Sequence, residues 1–286
     1  MLVSAIITTH NRRELCKRAL ESVFSQTYPD IECILVDDAS DEGPNPEWEE
    51  DQRIEYVYIP KAESKGGNHA RNVGIRTAKG KYVAFLDDDD YWLPDKTELQ
   101  VKLLQEKKCK LVTCGSAGEI LINETWAVSD CYDFPEEKQG DFSKTVYYTL
   151  FLTGSLMVDH ELLEKVGMFD EQLRFWQDNE LCIRLSEHTE IYSVPGIHLV
   201  IRVDPNDRQR LTNNFTGWQS AVKYIHTKHK RGYRTLSFNE KIKYKKMVYA
   251  DGLKRCDCEK LKWQKLLLWF KIKIIRIPGK INSKFK

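Results

Sequence analysis

The sequence predicts an α/β chain: a Rossmann-like, open, mixed sheet with covering helices, followed by a basic helical C-terminal extension. Three observations carry this reading. Short apolar runs rich in β-formers alternate with helical patterns along residues 2–114, as in a sheet whose strands are joined by helices. Acidic or polar residues follow several of those runs, where open α/β sheets bind ligands. Charge then divides the chain. Residues 216–286 carry 20 Lys/Arg against 4 Asp/Glu, and residues 1–215 carry 24 against 39. We therefore expect a domain over 1–215 and a basic helical region over 216–286.

The elements follow in order. "LVSAIITT" (2–9) reads as a buried parallel strand. A helix is expected over 12–26, capped by Asn11, with Leu15, Ala19, Leu20 and Val23 on one face. "IECILVDD" (31–38) and "IEYVYI" (54–59) are the next strands, separated by a turn-rich stretch through Pro46. Residues 64–80 open on Gly66–Gly67, run as a helix and stop at Gly80. "KYVAFLD" (81–87) is the fourth strand, and Pro94–Asp95 open a helix to Lys108. "KLVTC" (110–114) is the fifth. A hairpin is expected around Asn123–Glu124, then a Thr-Gly-Ser break in the apolar run 151–159 and a short helix and turn over 160–171. A helix over 177–188 precedes one or two strands over 191–203. The last 70 residues look helical, with many Lys and aromatic residues.

Several classes are set aside. The eight cysteines form no CxxC pair and no zinc spacing, so they read as reduced thiols of a cytoplasmic protein. "MLVSAIITTHNRRE" lacks the basic start and cleavage site of a signal peptide. "LLLWFKIKIIRI" (266–277) is too short and too charged to span a bilayer. Neither GxxxxGK[ST] nor GxGxxG is present.

The candidate chemistry sits at strand ends. Asp87, Asp88, Asp89 and Asp90 follow an apolar strand. Along an extended chain Asp87 and Asp89 would face one way, Asp88 and Asp90 the other. Such a run suits Mg²⁺ or Mn²⁺ completed by a ligand's phosphates; a solvated acidic turn is the plainer alternative. Asp37–Asp38 after the second strand would accept from a base or ribose, or merely start a turn. Arg71 offers a fixed cation for phosphate, or is a surface helix residue. Asp178 begins a helix after aromatics and reads as an N-cap or as a general base. His10 lies at a strand end within reach of a donor, and His198 reads as a strand residue with a satisfied ring.

"AIITTHNR", "CILVDDAS", "GGNHARNVGIRTAKGKYVAFLDDDDYWLPDK", "VGMFDEQL" and "QDNELCIRL" together resemble the family 2 glycosyltransferases over residues 2–205. The resemblance implies the A-type glycosyltransferase fold. It also implies inverting, Mg²⁺- or Mn²⁺-dependent transfer of a sugar from a nucleotide diphosphate, UDP being the commonest. Position by position it implies Asp38 as the base contact, with Thr8 and His10 lining that pocket. Asp87-x-Asp89 corresponds to the DxD motif, with Asp88 on the ribose, Asp89 on the metal and Arg71 near the phosphates. Asp178 corresponds to the catalytic base, although Gln177 stands where many relatives have Glu. Trp176, Gly154 and Ser155 are candidates for the acceptor or sugar site. The QxxRW motif of processive synthases is absent, which favours single additions, expected in bacterial cell-surface polysaccharide synthesis. The expected acceptor is a glycan or lipid-linked sugar, with the basic region on the anionic inner face of the plasma membrane. No nucleic-acid partner is expected, and oligomerisation stays open. The competing readings are a nucleotide-sugar pyrophosphorylase, another metal-dependent nucleotide enzyme, and a non-enzymatic membrane adaptor.

Overall fold

The structure, a computed structural model, describes residues 1–122, 125–132, 141–204, 214–258 and 261–276. The chain forms two compact units. The first comprises Met1–Val146, Phe151–Gln172 and Gln177–Asn206; the second comprises Tyr147–Leu150, Leu173–Trp176 and Asp207–Lys286.

The first unit is built on one mixed sheet. β1 (Val3–Thr9), β2 (Ile31–Asp38), β3 (Ile54–Ile59) and β4 (Tyr82–Asp87) are parallel, in the spatial order β3-β2-β1-β4. The helices that join them are α1 (Arg13–Phe24), the one-turn α2 (Pro46–Glu50) and α3 (Gly67–Thr77). The order reverses at β1, which pairs Thr8 with Val36 on one side and Asp87 on the other. The crevice beyond these strand ends is the expected ligand position of an open α/β sheet.

The sheet continues through β5 (Tyr91–Trp92), β6 (Leu111–Ile122), β7 (Thr125–Tyr132), β8 (Met157–Asp159) and β9 (Ile191–Val203). β8 is antiparallel to both β4 and β6, and β6 runs parallel to β9. The hairpin pairs β6 with β7; its tip at Asn123–Glu124 lies outside the described residues. β9 is one strand, irregular opposite Cys114–Ser116, where Gly196 takes a φ of 90°. α4 (Lys96–Lys107), α5 (His160–Lys165) and α6 (Gln177–Ser186) complete the unit.

Apolar β positions explain the core. Val3, Ala5, Ile7, Leu35, Ala84 and Leu86 pack with Cys16, Ala19, Leu20 and Val23 of α1. α3 lies close on the other strand positions: a Cβ on Gly74 would stand 2.5 Å from Ile6 Cγ2. Asn11 does not cap α1. It has a left-handed φ of 55° and bonds Asp41, and Arg12 is the residue at the cap position.

The second unit is helical: α7 (Phe215–Lys228), α8 (Lys230–Thr235), α9 (Phe238–Cys258) and α10 (Lys262–Arg276). Trp218 is its buried centre, edge-on to Trp176 and tilted against Phe215. Arg255 lies over Phe175 and Trp218 and bonds Asp251. Among the described residues, no helix is long and apolar enough to cross a membrane.

Candidate active site

The ends of β1, β2 and β4 bring the acidic residues to one crevice, but they share the work unequally. Asp37 is fully buried; it accepts from Ser40 N at 2.9 Å and Tyr56 Oη at 3.1 Å. It holds the turn after β2, where Ala39 adopts a left-handed φ of 62°. Asp38 is also buried, yet its Oδ1 has no hydrogen-bond partner among the described residues. A buried carboxylate oxygen without a donor is costly, so this atom calls for a donor from a ligand.

His10 Nδ1 lies 2.6 Å from the Asp38 carbonyl oxygen. A carbonyl only accepts, so Nδ1 carries the proton, leaving Nε2 to accept from Asn11 Nδ2 at 3.2 Å. His10 thus braces the Asp38 backbone. Thr8 is partly exposed on β1 beside Asp87, whereas Thr9 is buried. Thr9 Oγ1 donates to Asp88 Oδ2 at 2.8 Å.

The aspartate run is a turn, not an extended strand. β4 ends at Asp87, and Asp90 N donates to Asp87 O at 3.1 Å. The alternation expected from strand geometry therefore fails beyond Asp87. Asp88 and Asp89 face the same cation: Arg12 Nη1 lies 3.4 Å from Asp88 Oδ1 and 3.0 Å from Asp89 Oδ2. Asp90 is buried and accepts from Arg202 N of β9. Burial first, then the Asp89 charge, raise the Asp88 pKa to about 7, against the pull of Arg12 and Thr9.

Arg71, in α3, is buried. Its Nη2 donates to Asp87 Oδ1 at 2.6 Å and its Nη1 to Asn68 Oδ1 at 3.2 Å. Asp178 lies in the first turn of α6 and accepts from Asn179 N at 2.8 Å. Burial raises its pKa to about 6; the Asn179 bond and the Arg71 charge oppose this, and the Asp87 charge adds to it. A carboxylate with that poise can take a proton near neutral pH.

The residues expected at the acceptor site already have their polar atoms engaged within their own units. Ser155 is buried, its hydroxyl shared with Thr113 Oγ1 and the Leu152 carbonyl, both at 2.7 Å. Gly154 O accepts from Trp92 Nε1, and a Cβ on Gly154 would meet Leu199 at 3.1 Å. Below them Lys96 is fully buried over the Trp92 ring, bonds Gln100, and Gln100 holds Ser155 O. The Thr-Gly-Ser break is thus a packing joint. Trp176 belongs to the second unit, where its Nε1 donates to Asp251 Oδ2. His198 is satisfied at both nitrogens, by Asp95 and the Pro195 carbonyl.

Arg12 is the site residue that sequence reasoning missed. Its signal was only the "NR" after a strand, and nothing in spacing predicts a reach to residue 89. Among the described residues no three His, Cys, Asp or Glu side chains gather as a metal cage. The donor set instead suits a hard cation held by a carboxylate and completed by substrate phosphate and water, the usual Mg²⁺ mode.

An open α/β sheet with an acidic crevice at its switch point is the layout of nucleotide-binding enzymes. The sequence profile described as "Glycosyl transferase family 2" matches residues 4–167, more than half of the chain, and the protein belongs to that family. An uncharacterized glycosyltransferase of Rickettsia prowazekii is 31% identical over 197 residues, 67% of this chain and 60% of that one. The Escherichia coli UDP-Glc:alpha-D-GlcNAc-diphosphoundecaprenol beta-1,3-glucosyltransferase WfaP is 38% identical over 141 residues, 48% of this chain and 53% of that one. The chain thus spans little more than half the length of these relatives. Staphylococcus aureus TarS 1-349, solved in complex with UDP, has the same fold, with a TM-score of 0.57 at 16% identity. That alignment covers 98% of this chain and 92% of TarS 1-349.

Proposed function

We propose that this protein is a metal-dependent, inverting glycosyltransferase of bacterial polysaccharide synthesis. It moves one sugar from a UDP-sugar to a hydroxyl of a glycan or lipid-linked acceptor. The observation that carries this reading is the buried Oδ1 of Asp38 at the switch-point crevice, which has no hydrogen-bond partner among the described residues. A pyrimidine ring N–H is a donor of the right kind. Family membership, the TarS complex with UDP-GlcNAc, and the lipid-diphosphate acceptor named for WfaP support the donor and acceptor classes.

In this mechanism Asp38 accepts from the base while His10 braces its backbone, and Thr8 lines the same pocket. Asp88, held by Thr9, borders the ribose. Asp89 is the residue that would hold Mn²⁺ or Mg²⁺, which when bound neutralises the charge gathering on the leaving diphosphate. Arg71 acts by holding Asp87 beside the phosphates and by opposing the raised pKa of Asp178. Asp178 takes the acceptor proton as the hydroxyl attacks the anomeric carbon from the face opposite the diphosphate. One displacement inverts that carbon and needs no covalent intermediate.

The region from α7 onward is read as a docking element for an anionic membrane surface, by which the enzyme works at the inner face of the membrane. α10 exposes Trp263, Leu266, Leu267 and Phe270 at helical spacing, with Trp269 beside them. Lys262, Lys265, Lys271 and Lys273 share the helix, which has no acidic residue. Apolar side chains amid lysines suit an interfacial helix.

The test is donor hydrolysis and transfer with UDP-, GDP- and dTDP-sugars, with Mn²⁺ and with EDTA. Mn²⁺-dependent turnover of UDP-sugars is expected. Release of pyrophosphate from a nucleoside triphosphate and a sugar phosphate, with no transfer, would instead establish a pyrophosphorylase.

A further inference from the structure

Arg12 sits immediately before α1 and points its guanidinium into the acidic turn. A single nitrogen, Nη1, spans Asp89 Oδ2 at 3.0 Å and Asp88 Oδ1 at 3.4 Å. These are one-point pairings, not the two parallel bonds of a forked arginine–carboxylate pair. Arg12 and Asp89 are partly exposed, at 27% and 20% of their side chains, whereas Asp88 is buried at 7%. The pairing with Asp89 is therefore the one that solvent and an incoming ligand can exchange. The neighbouring arginines bond elsewhere: Arg71 Nη2 to Asp87, and Arg18 Nη1 to Glu119, with Arg18 Nη2 on the Asp89 carbonyl.

We propose that Arg12 is a positioning residue that couples divalent-cation binding to the donor's diphosphate. This rests on the function proposed above. Arg12 guards Asp89 Oδ2 against a free cation and turns to the diphosphate when donor and metal arrive together. The physical reason is competition of two cations at one carboxylate. A guanidinium and a divalent cation would share the Asp89 carboxylate, and their like charges repel at short range. A diphosphate gives Arg12 an alternative acceptor that its planar fork can grip at two points. Moving there takes that guanidinium off Asp89 and adds a cation to the leaving group. Metal and nucleotide then bind more tightly together than apart, and by linkage each raises the affinity of the other by the same factor.

The experiment is calorimetric titration of Mn²⁺ and of UDP, each with and without the other, into the full chain and into Arg12→Met and Arg12→Lys. Circular dichroism and thermal melting establish that the variants are folded. In the wild type, Mn²⁺ alone is expected to bind weakly and UDP to strengthen its binding. Arg12→Met is expected to bind free Mn²⁺ at least tenfold more tightly than wild type, with the coupling factor reduced at least tenfold. Arg12→Lys, which keeps the charge, is expected to restore weak binding of free Mn²⁺. If Arg12→Met leaves free Mn²⁺ affinity unchanged or weaker while UDP affinity drops, Arg12 is an ordinary phosphate contact and the inference fails. Absence of any Mn²⁺ effect on UDP binding in the wild type overturns the metal-dependent reading itself, a different and separable outcome.

Discussion

Asp178→Asn separates stability from chemistry at one atom. Asp178 is held at a pKa of about 6, above the ordinary 3.8, because burial disfavours its charge. The folded chain therefore binds this proton more tightly than the unfolded chain, so between those two pH values stability falls as pH rises. Above pH 6 the full penalty remains. A shift of about two units at ~1.36 kcal/mol per unit sets a ceiling of about 3 kcal/mol. Partial exposure of the group lowers the realised value through solvent screening. Asparagine removes the charge but can still accept from Asn179 N. The variant should match wild-type stability near pH 4 and exceed it above pH 6. Melting temperatures at pH 4.5 and 7.5 read this directly, at ~2–4 °C per kcal/mol for a chain of this size. Activity should move the other way, with transfer falling by about 10²–10⁴-fold. In the wild type, kcat/KM should fall below pH 6, as Asp178 becomes protonated. Equal stability gaps at the two pH values would refute the burial argument, and near-normal transfer would refute the role as base.

Asp38→Asn should weaken UDP binding at least ~10-fold, the effect of losing a hydrogen bond to a charged acceptor; unchanged affinity by calorimetry would remove Asp38 from the base site. Gly74→Ala should destabilise by ~1–3 kcal/mol through overpacking against Ile6 and Val36, read as a lower melting temperature with the sheet's circular dichroism retained. Replacing Trp263 and Leu267 by serine should abolish co-sedimentation with anionic vesicles while leaving turnover of a water-soluble acceptor intact; retained vesicle binding would place the docking surface elsewhere.

The parallel half of the sheet was legible in advance because its strands are buried on both faces and therefore read as unbroken apolar runs. β2 and β3 begin and end where the pattern predicts. α1 and α4 are each a residue or two shorter than expected at their ends, where periodicity carries little information. A crevice beyond Asp38 and Asp87 was expected from the alternation of strand and helix, whereas the order β3-β2-β1-β4 that creates it is read only from the structure. What each acidic residue does there was not legible. Adjacent Asp37 and Asp38 are equivalent as letters, yet Ser40 and Tyr56 satisfy one, while an oxygen of the other has no partner among the described residues. The four aspartates suggested alternating faces, because a run of letters does not reveal that a strand has ended. A single turn bond from Asp90 N to Asp87 O brings Asp88 and Asp89 to one guanidinium.

The same division explains the Thr-Gly-Ser break and the aromatic before α6. Their composition suggested a ligand, but Gln100, Thr113 and Trp92 use the polar atoms of Gly154 and Ser155, and Asp251 takes the Trp176 indole. By itself the sequence determined the parallel strands, most of the helices and the family, because hydrophobic periodicity and short motifs are local properties of the chain. Tertiary structure decided which polar atoms were already satisfied, since partners such as Arg12 and Asp89, 77 positions apart, are chosen by how the chain folds in space.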